Sequence, residues 1–194
     1  KPFNEIQATD GLHYLLWGMF MKVAVADRLG IYVDTIYGHY LNYSGFNSFV
    51  SMIFYSFQIY ADFAGYSLMA LGIAKLLGYD IVNNFQQPYF AFSITNFWRR
   101  WHISLSRWLK DYIYIPLGGS RCSSKRSYFN IFITFLVSGI WHGASWNFII
   151  WGALHGIFQI VEKALRLQKE PAKGGIIKAV RVLITFFLVS FAWI

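Results

Sequence analysis

Phe97-Trp98-Arg99-Arg100-Trp101-His102 opens the stretch whose reading decides the fold, and Ser138-Gly139-Ile140-Trp141-His142-Gly143-Ala144-Ser145-Trp146-Asn147 closes it. Between them lies a basic turn, Ile115-Pro116-Leu117-Gly118-Gly119-Ser120-Arg121. Two histidines, each beside a tryptophan, thus stand at the two ends of a cationic segment. Residues 129–141 and 148–161 are apolar runs on either side of His142-Gly143, and the flanking blocks, 121–126 and 163–181, are both basic. If both basic blocks face one side, the chain between them must go in and come back. Each arm has roughly 14–16 residues, about 21–24 Å as helix, against a hydrocarbon core about 30 Å thick. The pattern predicts a buried helix-turn-helix with His142 deep in the protein and lining a cavity. Gly139, Gly143, Ala144 and Ser145 are small enough for close backbone approach there. Irregular backbone at membrane depth must be buried or line a cavity.

Working back toward the N-terminus, residues 94–112 show helical spacing. Ile94, Phe97, Trp98, Trp101, Leu105, Trp108, Leu109 and Tyr112 form one stripe at 100° per residue, with Arg99, Arg100, Arg107 and Lys110 opposite. His102 sits at the border of that stripe. The spacing predicts one amphipathic helix lying in a membrane interface, aromatic face down, with Ser93, Thr95 or Asn96 as its cap. Pro116 ends the helical region and Gly118-Gly119 makes a tight turn.

Composition sets the class. Of 194 residues, 56% are hydrophobic, 21% aromatic and only 13% charged, against about 25% charged in soluble domains. So few charges cannot cover the surface of a soluble fold of this size. The reading is an all-α, polytopic membrane helical bundle, residues 1–194 forming a single membrane-embedded domain. The formal charge is +8, with seven cations between Arg99 and Arg126 opposed only by Asp111. Beside apolar runs such clusters mark cytoplasmic faces by the positive-inside rule, and a nucleic-acid partner is set aside. Cys122 is the only cysteine, so no intrachain disulfide forms. Lys1 is no natural start and the last apolar run, residues 182–194, stops midway; the sequence reads as an internal piece of a longer chain.

The rest of the chain reads as scaffold. Residues 12–26 are apolar but carry Lys22, which suits a segment packed in a bundle or tilted at a surface. Residues 31–47 read as turn and interface. Residues 49–77 form a long apolar run with Asp62 inside it. A carboxylate in a span is costly and faces the bundle interior with a partner; Asp62 reads equally as a group packed against Tyr and Gln58 or as a functional one. Residues 83–92 are a polar connector, 166–180 a Lys/Gly linker, and 176–194 the start of another span. His155 reads as a packed, hydrogen-bonded histidine; His13 and His39 read as structural.

Histidine alone among side chains has an ordinary pKa, about 6.5, suited to proton transfer near neutrality. A neutral histidine in a cavity without a neighbouring carboxylate suits deprotonation of a hydroxyl attacking an acyl carbonyl. No GxSxG elbow is present, and no HExxH or paired Cys/His spacing signals a metal. HxxxxD is missing as well, since Arg107 and Asn147 stand five residues after His102 and His142. Direct transfer assisted by His142 is then the simplest mechanism. The alternative is a transporter or channel segment in which Asp62, His102 and His142 line a polar path.

Several stretches occur in a recognisable order: Tyr60-Ala61-Asp62-Phe63-Ala64-Gly65-Tyr66-Ser67, Asn84-Phe85-Gln86-Gln87-Pro88-Tyr89, Asn96 to His102, Asp111 to Arg121, Gly139 to Ala144, and Trp151-Gly152-Ala153-Leu154-His155-Gly156. Together they resemble the membrane-bound O-acyltransferase (MBOAT) family, nearest its branch acting on alginate and peptidoglycan. The resemblance implies that His142 matches the family's catalytic histidine and His102 its second motif histidine. It implies acetyl-CoA as a donor reached from the cytoplasm, with no bound cofactor. It also implies a polysaccharide acceptor outside, an extracytoplasmic acetyltransferase partner protein, surrounding membrane lipid, and location in the bacterial inner membrane. Arg99, Arg100 and Arg121 are the candidates for the donor's phosphates, because Arg pairs bidentately with such groups.

Overall fold

A computed structural model describes residues 4–171 and 175–194. Part of the expected linker, residues 172–174, lies outside the described residues, as do 1–3. Every regular element described is helical, as the sequence predicts. The chain folds as two compact units, residues 1–84 with 193–194, and residues 85–192.

In the first unit, α1 (Glu5–Met19) runs through a π-helical turn (Phe20–Ala26) into α2 (Asp27–Gly38), and α3 (Gly45–Leu76) packs against all three. Asn4 caps α1, its side chain accepting from the Gln7 N–H at 3.1 Å. The α1–α3 crossing is close because glycines meet glycines. A Cβ on Gly11 would lie 2.8 Å from the Gly72 carbonyl, and one on Gly18 2.6 Å from that of Gly65. Residues 31–38, expected as turn, are helix instead. Gly30, Val33 and Ile36, spaced three apart, are buried, and this packing overrides the turn propensities of their neighbours. Asp62 has a partner, as expected of such a group, but it is Lys22. The ammonium lies 2.6 Å from Asp62 and 3.0 Å from Asp27.

The second unit holds α4 (Ile94–Trp98), α5 (Ile103–Leu109) with a π-helical turn after it (Lys110–Tyr114), α6 (Ser124–His142), α7 (Trp146–Ala164) and α8 (Ile176–Ala192). The α6–α7 hairpin is the expected helix-turn-helix. Each helix is 19 residues long, longer than the apolar runs, because the polar first turn of α6 is capped by Ser123 accepting from the Arg126 N–H.

Two expectations change here. Among the described residues no helix is long and apolar enough to cross a membrane. Asn47, Gln58, Asp62 and Lys75 interrupt α3; Lys125, Arg126 and Asn130 lie in α6; and α8 carries Lys178 and Arg181 over 17 residues. The single interfacial helix over 94–112 is also not formed. It breaks at 99–102, leaving Phe97, Trp98 and Trp101 buried while Trp108 and Tyr112 are exposed.

Candidate functional site

All of the site lies within residues 85–192. Its base is α7, which carries two buried polar groups, Glu162 and His155. The Glu162 carboxylate accepts from the Ile94 N–H at 2.7 Å and the Thr95 N–H at 2.9 Å, satisfying two of the N–H groups left over at a helix start. One helical stretch nearer the turn, His155 is fully buried and accepts at Nδ1 from the Trp98 indole N–H at 3.3 Å. This is the packed, hydrogen-bonded histidine predicted from sequence. Ser93 adds the conventional cap, accepting from the Asn96 N–H at 3.0 Å.

Helix α4 is therefore pinned at both ends, and the chain leaving it turns sharply. His102 takes φ 44°, ψ 58°, the left-handed region that only a few per cent of non-glycine residues occupy. Such strain persists only where the surroundings over-determine it. Trp101 supplies part of that constraint, stacked on Phe97 at 5.5 Å and edge-on to Phe85 at 5.0 Å. The half-buried His102 ring lies outside the apolar helices. Burial, and then the nearby His142, lower its pKa to about 4. It is neutral at physiological pH.

The second motif histidine, His142, stands at the end of α6. It is tied to the α7 cluster. Its ring packs edge-on against Trp151 at 5.0 Å, and Trp151 packs in turn on His155 at 5.0 Å and Trp98 at 5.6 Å. The expectation of a deeply buried His142 is corrected: as the last residue of α6 it is exposed. Of the small residues read as lining a buried turn, Gly139 serves the helix crossing and Ser145 caps α7. Gly139 and Gly152 face each other across the hairpin, and a Cβ on Gly152 would lie 2.5 Å from the Phe135 carbonyl.

Between α4, α5 and α6 is a cavity of about 200 Å³ walled by Trp98, Leu109, Ile131 and Phe135, with Arg99 and Lys110 on its lining; neither His102 nor His142 lines it. Ser138 also lines the cavity; its buried hydroxyl has no hydrogen-bond partner among the described residues. Of the predicted phosphate ligands, Arg99 alone lines this cavity. Arg100 is half-buried, with its carbonyl accepting from the Gln86 N–H at 3.0 Å. Arg121 is exposed in the basic turn, whose geometry is held from α6: Asn130 Nδ2 donates to the Gly119 carbonyl at 3.2 Å, and Arg126 donates to that of Leu117. Gly118 and Gly119 have φ of 110° and 54°, so this glycine pair serves the backbone of the turn. Among the described residues, no three His, Cys, Asp or Glu side chains gather where they could hold a metal ion.

Comparison with known proteins decides what the arrangement belongs to. Residues 12–194 match the profile of MBOAT, the membrane-bound O-acyltransferase family. The chain belongs to that family. Among MBOAT relatives it is 42% identical over 185 residues to the probable alginate O-acetylase AlgI of Azotobacter vinelandii, covering 95% of this chain and 36% of the relative. It is 42% identical over 184 residues to the peptidoglycan O-acetyltransferase of Helicobacter pylori, covering 95% and 35%. The teichoic acid D-alanyltransferase of Bacillus subtilis is 26% identical over 194 residues, covering 94% and 49%. The chain thus spans about a third of the length of the first two relatives. The resemblance drawn from the motifs holds along nearly the whole chain. Glu162 is the site residue that sequence reasoning missed. The available signal was a lone carboxylate near the end of an otherwise apolar helix.

Proposed function

We propose that this chain is the histidine-bearing part of a membrane O-acetyltransferase that moves an acetyl group from a cytoplasmic thioester to a hydroxyl of an envelope polysaccharide. What supports this reading is the match of residues 12–194 to the O-acyltransferase family, with His102 held in a left-handed turn after α4 and Arg99 on the lining of a cavity of about 200 Å³. His142, the exposed member, is the general base. It takes the proton of the attacking hydroxyl as the oxygen bonds to the acetyl carbon. The carbon–sulfur bond then breaks, and the departing thiolate recovers a proton through the histidine pair, yielding an O-acetyl ester and a free thiol. Neutral imidazoles are the correct starting form for this role. His102 acts on the thioester side, close to Trp98 and Arg99. The transport alternative gains no support: Asp62 is taken up by Lys22, and the family matched is one of acyltransferases.

The donor is acetyl-CoA, and Arg99 attracts its phosphates. In full-length enzyme reconstituted in vesicles, Arg99→Ala with Arg100→Ala should raise the apparent KM for acetyl-CoA about 5- to 10-fold with little change in kcat, because this attraction is present throughout binding. A fall in kcat at constant KM would remove the arginines from donor binding.

The protein sits in the bacterial inner membrane with residues 99–126 toward the cytoplasm, and hands the acetyl group to an outer partner or directly to the glycan. The motivation is seven cations against one carboxylate. Cys122 is a free thiol in that segment. It should resist an impermeant maleimide in intact cells and react after lysis; labelling before lysis contradicts the orientation.

A further inference from the structure

We infer that Glu162 is the positioning residue for His102: reaching from α7, its carboxylate fixes the first turn of α4 and so sets where the chain turns at His102. The inference rests on the proposed reaction for its effect on turnover, but its structural core does not.

Glu162 is buried, at 8% exposure. Holding a carboxylate there costs desolvation, which only charge-assisted hydrogen bonds of good geometry offset. Both of its oxygens are used on consecutive backbone N–H groups, at 2.7 and 2.9 Å. Ser93 caps one N–H of α4, that of Asn96, and Glu162 satisfies the two before it. What the carboxylate adds is a tie between segments 67 and 68 residues apart in sequence. Gln168 reinforces it, donating to the Thr95 hydroxyl at 3.0 Å. At the other end of α4 the Trp98 indole is held by His155, also on α7. With both ends of α4 fixed to one helix, the five residues from Trp98 to His102 have little freedom. The left-handed φ of 44° at His102 is the kind of strain such a tether sustains. Replacing one carboxylate oxygen by an amide NH2 sets donor against donor at one of the two N–H groups, leaving the side chain's size unchanged.

The test uses full-length enzyme in vesicles, with Glu162→Gln, His102→Ala and the double variant. Glu162→Gln should lower kcat about 10- to 100-fold, the scale expected for a reacting group displaced by an ångström or so. The double variant should be no slower than His102→Ala alone. Independently of turnover, the rate at which diethyl pyrocarbonate modifies His102, read by peptide mass spectrometry, should change several-fold in Glu162→Gln, with buried His155 protected in both proteins. Unchanged kcat together with an unchanged His102 modification rate overturns the inference, as does an equal loss of kcat in the His102→Ala background. If His102→Ala alone transfers acetyl normally, the reaction proposed for His102 fails, and the modification rate still decides whether Glu162 holds it. Should Glu162→Gln fail to accumulate, Glu162→Asp, which keeps the charge with a shorter reach, is carried through the same measurements. Here a change in the His102 rate supports the tether and none overturns it.

Discussion

His142→Ala should lower acetyl transfer by about 10²–10⁴-fold, the usual loss when a general base is removed, with the protein present in the membrane at its normal level. The ring is exposed at the end of α6, touching Trp141, Phe148 and Trp151 at its edges and faces. Truncating it therefore opens no core cavity and leaves no buried polar group unpaired, the two routes by which a substitution becomes severely destabilising. Loss of transfer without loss of protein is the signature of chemistry. Steady-state kinetics on reconstituted full-length enzyme at matched protein concentration checks it. Near-normal kcat would return His142 to an ornament of the hairpin turn.

The second large effect is on stability. Gly152→Ala adds one methyl group, yet that carbon would stand 2.5 Å from the Phe135 carbonyl oxygen. The obstacle is backbone and cannot rotate aside, so α6 and α7 must move apart. Overpacking of this kind costs about 1–3 kcal/mol and occasionally more, and here it outweighs the gain of roughly 1 kcal/mol that alanine brings to a helix interior over glycine. The hairpin also carries His142, Trp151 and His155, so activity should fall with stability. Gly38→Ala is the control: at the end of α2, a Cβ there meets nothing within 4 Å. Thermal unfolding in detergent should show a lower Tm for Gly152→Ala and none of this loss for Gly38→Ala. Equal Tm values for Gly152→Ala and wild type would mean that the helices do not cross at the glycines.

The helices were legible where one segment decided its own fate. Two apolar runs around His142-Gly143 gave the α6–α7 hairpin, and residues 49–77 gave α3 almost to its ends. The reading failed where distant segments decide. Residues 94–112 have a consistent helical stripe, but the tether from Glu162 and the aromatic packing around Trp101 stop the helix after Trp98 and turn the chain at His102. No local propensity encodes that break. The depth of His142 was misjudged for a related reason: small residues license close approach without saying which surfaces approach. Gly139 is used against α7, and the histidine is left at the rim. Asp62 shows the opposite case. The cost of a carboxylate in an apolar run required a partner, and one exists, but Lys22 is 40 residues earlier in sequence. From sequence, His102, His142 and the arginines offered a proposal for the chemistry, with no placement. The placement of these residues depends on α7, where His155 was read as a packed, hydrogen-bonded histidine and Glu162 drew no reading.

The central claim is that this chain serves O-acetylation of an envelope polysaccharide through His142. Mass spectrometry of surface glycans tests it most directly, in cells carrying the full-length wild-type protein, the His142→Ala variant at matched level, or neither. The account predicts O-acetyl esters with the wild-type protein and their loss in both other strains. Equal glycan acetylation in all three strains would contradict it.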